Sequence, residues 1–256
     1  MFNPLDYPTF VLVVSFLAFW FAAWIGSSFR RKRGPSADQY PEELRFILGG
    51  ILTLLGLIIG FTFSMAVSRY DQRKNYEEQE ANAIGTEYVR ADLLPPADAA
   101  KVRALLKTYV NQRILQYRAR GAQKVRQIDA QIAQLQEEMW SVAAKYSAGQ
   151  QSAVTALAVA GMNDVLNSQG YTQAAWWNRI PTAAWVFMIA ISVFCNFLIG
   201  YATHKTRAFL FLVLPVALSI SFFLIADIDS PRGGVIHIRP QNLESLAKSL
   251  HSDLSE

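Results

Sequence analysis

Four stretches of the sequence are apolar and almost free of charge over the length that a helix needs to cross a membrane. They are residues 7–25, 46–67, 183–203 and 208–226. A helix rises about 1.5 Å per residue, so about 20 apolar residues span the hydrocarbon layer of a bilayer. The sequence therefore predicts four transmembrane helices and an integral membrane protein.

The charges around the first stretch indicate a retained membrane helix. No basic residue precedes the stretch, and a positive run over residues 30–33 follows it. A secretory signal has the opposite order, with the positive residues in front. We expect the first helix to stay in the membrane.

The four helices divide the chain into two hairpins and a middle segment, because short polar links join the first helix to the second and the third to the fourth. We predict an all-α integral membrane fold in which two transmembrane hairpins flank an extramembrane helical segment. The predicted domains are a first hairpin over residues 1–68, a helical segment over 69–181, a second hairpin over 182–227 and a polar carboxyl-terminal tail over 228–256.

Each hairpin crosses the bilayer twice, so the two termini and the middle segment share one side and the links share the other. The links carry seven Lys and Arg residues, and the other side carries six near the membrane ends. Positive residues in short loops favour the cytoplasmic side. The count therefore favours cytoplasmic links.

The middle segment shows the periodicity of packed helices. Its best run has apolar residues at alternating intervals of four and three, which is the pattern of a heptad seam. The run consists of Ile128, Ile132, Leu135, Met139, Val142 and Tyr146. We expect this seam to pack within the subunit or between subunits. A short alternation at residues 235–239 predicts a strand.

Small residues recur every four positions in the second membrane helix, at Gly56, Gly60 and Ser64. Such a stripe allows the backbone of another helix to approach closely. The helix also has an apolar face that is suited to a pore constriction. This neighbouring face carries Leu57, Phe61 and Met65. The pattern is consistent with both packing and pore lining.

The third membrane helix carries polar side chains inside the hydrocarbon zone, at Ser192 and Asn196. A buried amide needs a partner there, so we expect either a hydrogen bond to a neighbouring helix or a water-filled path.

Charges of both signs collect where the membrane helices meet the middle segment and the tail. We call this group the collar and expect its members to pair with one another, to attract ions, or to hold a hard cation at Asp227 and Asp229. The collar consists of Arg69, Asp71, Arg73, Arg179, Asp227, Asp229 and Arg232.

Several classes of protein are excluded by the residues present. The single cysteine, Cys195, rules out a disulfide framework and a cysteine-based metal site within one chain. The three histidines have no ligand spacing, and no phosphate loop or nucleophile motif occurs. The net charge of +4 lies mostly beside the membrane helices, which argues against nucleic-acid binding. We therefore predict no enzyme, no cofactor and no metal.

A long motif, GFTFSMAVSRYDQRKNYEEQEANAIGTEYVRADLLP, extends from Gly60 to Pro95 and resembles the signature of the bacterial bestrophin-like family. Further matches are NDVLN at Asn163, RIP at Arg179 and DIDSPRGG at Asp227. The resemblance covers most of the chain. It implies similarity to bestrophins, which are pentameric anion channels with the second membrane helix lining the pore.

The chain departs from bestrophins in two respects. Bestrophins have an acidic calcium clasp after the last membrane helix, whereas DIDSPRGG has fewer acids and an arginine, so calcium gating is not carried over. Bestrophins also place both termini in the cytosol, opposite to the orientation that the charge count favours.

The leading hypothesis is a homo-oligomeric, pentameric channel of the bacterial inner membrane that conducts small inorganic anions through a pore lined by the second helix. The alternative is a non-conducting scaffold or sensor that acts through its helical segment. A membrane enzyme built on the collar is the third possibility.

Overall fold

The computed structural model describes residues 4–31, 42–149, 152–202 and 210–252, and it is all-helical over these ranges. Eight α-helices and two short 3-10 turns are present there, and no strand occurs among the described residues. The helices are α1 (Pro8–Arg31), α2 (Glu42–Arg90), α3 (Pro96–Arg118), α4 (Ala122–Gly149), α5 (Ala153–Trp177), α6 (Thr182–Ala202), α7 (Leu210–Asp229) and α8 (Gln241–Ser252).

Four helices are long and apolar enough to cross a membrane, as predicted. They correspond to α1, the first part of α2, α6 and α7. In α2 the apolar part is residues 46–67, because charged residues recur from Arg69 onward. Parts of both predicted links, the end of the third predicted span and the start of the fourth lie outside the described residues.

Local sequence explains several helix boundaries. Proline fixes φ and is tolerated in the first turn of a helix, and α3 begins at Pro96. The hydroxyl of Ser152 accepts the N–H of Thr155 at 3.1 Å and caps α5. No proline interrupts α2 over its 49 residues, so the helix continues past the membrane span.

The chain forms two compact units. Unit 1 contains Met1–Tyr70 and Arg179–His237, and unit 2 contains Asp71–Asn178 and Ile238–Glu256. The core of unit 1 is apolar and includes Phe19, Phe222 and Trp185, whose rings pack edge to face. Helix α1 packs against both α6 and α7.

Glycines bring α1 and α6 into close contact. A Cβ atom at Gly26 would overlap the carbonyl oxygen of Phe197, and one at Gly200 would overlap the carbonyl oxygen of Ala23. Without side chains at these positions the two backbones touch, a close contact that small residues permit between membrane helices.

Unit 2 is a helical assembly with its own core. The heptad seam of α4 packs inside this core, where Ile132 and Met139 are fully buried. Leu106 and Tyr109 of α3 lie in the same core. The seam is therefore used for packing within the subunit.

The strand predicted at residues 235–239 is absent, and that prediction was wrong. The backbone N–H groups of Val235 and Ile236 donate to the carboxylate of Asp227 at 2.8 and 2.7 Å. A side chain thus takes the donors that a neighbouring strand would have used, and the segment forms a closed loop.

Candidate functional site

Helix α2 exposes one face along its membrane span. Leu57 and Phe61 are 53% and 65% exposed in the protomer, and Met65 is also exposed. Leu55, Thr62 and Ala66 are buried on the opposite face. A helix with one buried face and one open apolar face needs lipid, another subunit or a pore on its open side.

The small residues of α2 lie on the uncovered part of the helix. A Cβ atom at Gly56 or Gly60 would meet nothing within 4 Å, and Ser64 is exposed. Within the described protomer, therefore, no helix approaches this stripe closely. The close approach that such residues permit is made instead by α1 and α6.

The open face keeps its spacing beyond the membrane span. Ser68, Asp71, Asn75 and Glu78 follow at intervals of three or four, and all are exposed. Helical residues at this spacing share one face. The face therefore changes from apolar to polar along a single helix.

In unit 1, Asp229 connects the end of α7, the start of α6 and the middle of α2. Its carboxylate accepts the N–H of Ile180 at 3.2 Å, just before α6, and lies 3.8 Å from Arg69 of α2. Asp229 is at the end of α7 and is buried. Arg179 forms an ion pair with Asp6, so the collar residues of unit 1 also hold the amino-terminal turn.

Asp227 organises the loop that follows α7. Besides accepting two backbone N–H groups, its carboxylate fills the position where a Cβ of Gly234 would be, and Gly234 has φ of +79°. Glycine is required at such a backbone conformation. Ser230 accepts the N–H of Gly233 at 3.0 Å, and Arg232 of this loop is half-buried.

A calcium clasp does not fit this donor set. A hard cation needs several oxygen ligands with free lone pairs. Here the carboxylates of Asp227 and Asp229 face N–H donors, and Asp229 also faces Arg69. Across the described ranges no group of three or more potential ligands is placed to hold a metal.

The collar residues of unit 2 have different surroundings. Asp71 is exposed on α2. Arg73 is 1% exposed and donates to the carbonyl oxygens of Ala175 at 3.2 Å and Asn178 at 3.3 Å. A cation at the carboxyl end of a helix is favourable, so Arg73 ties α2 to the end of α5.

The two polar side chains predicted inside the hydrocarbon zone, Ser192 and Asn196 of α6, are fully buried. Asn196 donates its amide N–H to the carbonyl oxygen of Ser192 at 2.8 Å. The side-chain amide oxygen of Asn196 and the hydroxyl of Ser192 have no hydrogen-bond partner within the described chain. They lie on the helix that packs against α1.

Unit 2 contains buried charges outside the collar. Arg113 and Glu80 form a bidentate ion pair with almost no exposure, and Thr172 donates to the same carboxylate at 3.1 Å. Burial lowers the pKa of Arg113, but the charge of Glu80 outweighs it and the net direction is upward. The sequence offers one indication of this pair. Arg113 follows Tyr109 by four positions, so it is a charged residue on the face of α3 that packs into the core.

Two further buried carboxylates lie on α2. Glu77 accepts the N–H of Leu243 at 2.9 Å and the amide of Asn242 at 2.6 Å, so it caps α8, and burial raises its pKa. Burial also raises the pKa of Glu87 to about 7. One oxygen of Glu87 lacks a hydrogen-bond partner in the described part of unit 2.

Comparison with known proteins gives one family and a set of related folds. The model of the bestrophin-like domain matches residues 10–243. A crystal structure of a bacterial bestrophin homologue from Klebsiella pneumoniae is 14% identical, with a TM-score of 0.67 over 97% of this chain and 98% of that one. A point variant of a Klebsiella pneumoniae homologue is 12% identical, with a TM-score of 0.68 over 96% and 99%. No curated protein matches the sequence.

Proposed function

Since the chain belongs to the bestrophin-like family, we propose that it forms a homo-oligomeric ion channel whose pore is lined by α2. The supporting observation is the open face of α2. Only 11% of the residues in its most apolar stretch are buried, against 44% for α7. A ring of subunits would place Leu57 and Phe61 around an axis, where apolar side chains gate by controlling the entry of water.

The permeant ion and the subunit number in this proposal rest on the resemblance to bestrophins, which implies small inorganic anions, five subunits and a bacterial inner membrane. The exposed charges on the polar part of α2 include both signs, at Asp71, Lys74 and Glu78. They do not select anions over cations, so an assay must measure both.

Liposome flux tests conduction. Purified full-length protein is reconstituted, and the movement of chloride and potassium is followed separately. We expect chloride flux above that of empty liposomes. Flux of potassium alone would overturn anion permeation, and no flux of either ion would overturn the channel. Native mass spectrometry of the detergent complex checks for five subunits.

Cysteine substitution separates a pore face from a lipid face. The native Cys195 is buried, so a C195S background is suitable. A thiol reacts as the thiolate, which forms in water and not in lipid. We expect a water-soluble thiol reagent to block flux through Leu57→Cys and Phe61→Cys channels. The matched control is Leu55→Cys on the buried face, and equal reactivity at all three positions would count against pore lining.

The scaffold alternative gains no support from the seam on which it was based. Ile132 and Met139 of that seam are buried in the core of unit 2. The heptad face is therefore not available to a partner, and we do not propose this second function.

A further inference from the structure

A groove of about 640 Å³ lies in unit 2 between α2 and α8. Its volume lies in the range of small-molecule sites, and the groove is open to solvent. Its walls supply hydrogen-bonding side chains, including Asn82 and Thr86 of α2 and Ser245 and Ser249 of α8. Arg90 is the one ionisable residue among those that line it. The one formal charge on the wall of the groove is therefore positive.

Besides lining the groove, Arg90 lies close to the carboxylate of Glu87 beside helix α5. A Cβ atom at Gly161 of α5 would overlap a carboxylate oxygen of Glu87 and lie 2.6 Å from Nη1 of Arg90. The two charged side chains thus meet over the glycine. Glu87 is 1% exposed, and its Oε2 accepts no hydrogen bond in the described part of unit 2. Arg90 is half-buried and adjoins both this carboxylate and the groove.

We propose that the groove binds a small oxyanion, a carboxylate or a phosphate, through Arg90, and that binding tightens when Glu87 is protonated. A guanidinium group offers paired N–H donors that match the oxygens of either anion. The hydroxyl and amide groups of the walls can donate to the remaining oxygens. No carboxylate lines the groove to oppose an anion.

Protonation of Glu87 affects the anion through Arg90. Two charged groups face Glu87: Arg90 on α2 and Asp164 on α5. Burial has the largest influence on the pKa of Glu87 and raises it. The charge of Arg90 lowers this pKa, the charge of Asp164 raises it, and the resulting pKa is about 7. Below neutral pH the carboxyl is neutral, so the positive charge of Arg90 is not balanced by Glu87. An anion then provides the missing negative charge.

Thermal denaturation of the purified full-length protein in detergent tests the site. Sodium acetate and sodium sulfate are the probes, because both anions keep a constant charge between pH 6 and pH 8. Sodium chloride at equal ionic strength is the reference. We expect either probe to raise Tm in a saturable way, with a lower apparent Kd at pH 6. Saturation separates binding from the general stabilising effect of sulfate.

Substitutions locate the effect. Arg90→Gln removes the charged donor of the anion's hydrogen bonds. We therefore expect this variant to bind acetate or sulfate at least about tenfold more weakly. Ser249→Tyr fills the groove from an exposed position and is expected to abolish binding while leaving the fold intact. Glu87→Gln is expected to bind equally at both pH values. Lys248→Gln, which removes a cation on α8 outside the groove, is the matched control and keeps the wild-type Kd.

Two results would overturn the proposal. The first is the absence of a saturable shift with both probes, as would occur if another subunit filled the groove. The second is an equal shift in wild type and Arg90→Gln. Neither depends on conduction, so the outcome is separate from that of the liposome experiments.

Discussion

Replacing Glu87 by glutamine should stabilise unit 2 above neutral pH. In the folded chain the pKa of Glu87 is raised from 4.5 to about 7. A carboxyl whose pKa is higher in the folded state binds its proton more tightly there. Its contribution to stability is therefore fully present below pH 4.5 and is lost as the pH rises through 7.

The size of the effect follows from the shift in pKa. Each pKa unit corresponds to about 1.4 kcal/mol, so the difference between the two values amounts to about 3 kcal/mol at high pH. This figure is an upper limit, because the Glu87 side chain is 1% exposed but lies near the surface of unit 2, where solvent screens its charge. Glutamine has a similar shape and stays neutral, so Glu87→Gln avoids the cost of burying the charge.

Denaturation of the detergent-solubilised protein at pH 5 and pH 8 measures the difference. At pH 5 the variant and the wild type should have similar stability. At pH 8 the variant should be more stable, by up to about 3 kcal/mol, and its Tm should be several degrees higher. The control is Glu78→Gln, an exposed carboxylate on the same helix. An equal Tm difference between variant and wild type at both pH values would refute the reasoning.

The other predictions concern stability in the same assay. Arg113→Met leaves the Glu80 carboxylate buried without its cation, so it should cost about 3–5 kcal/mol, and a double substitution with Glu80→Leu should recover part of the loss. Gly200→Val should lower Tm strongly because its side chain would overlap the α1 backbone, whereas Gly170→Ala, with nothing near its Cβ, should be tolerated. Asp227→Ala should cost about 1–3 kcal/mol by removing the acceptor of two N–H groups. Millimolar calcium should leave the wild-type Tm unchanged, and a calcium-dependent rise would contradict the assigned donor set.

The membrane helices and the α4 seam could be predicted because each depends on local periodicity. A long apolar run without charges is most easily explained as a membrane span. An apolar seam that includes Ile132 and Met139 predicts a buried helix face, whichever helix packs against it. The sequence did not predict that α2 continues as a single helix from Glu42 to Arg90. The change from apolar to charged residues near Arg69 marks the end of the span, but it does not end the helix.

The buried carboxylates could not be predicted, because burial of a charge depends on tertiary contacts. Glu77 and Glu87 look like ordinary solvated residues in a charged stretch of sequence. Their roles come from α8, which is more than 150 positions away, and from Gly161 on α5. The expected strand failed for a similar reason, since the acceptor for its N–H groups is the side chain of Asp227.

The contact between α1 and α6 has a consequence for biosynthesis. Helix α1 ends at Arg31 and α6 begins at Thr182, so about 150 residues separate the two in translation. At 5–20 residues per second, α1 waits roughly 8–30 s for its partner. During that time the face of α1 around Gly26 lacks its α6 partner. The membrane unit therefore completes its packing late, after most of unit 2 has been synthesised.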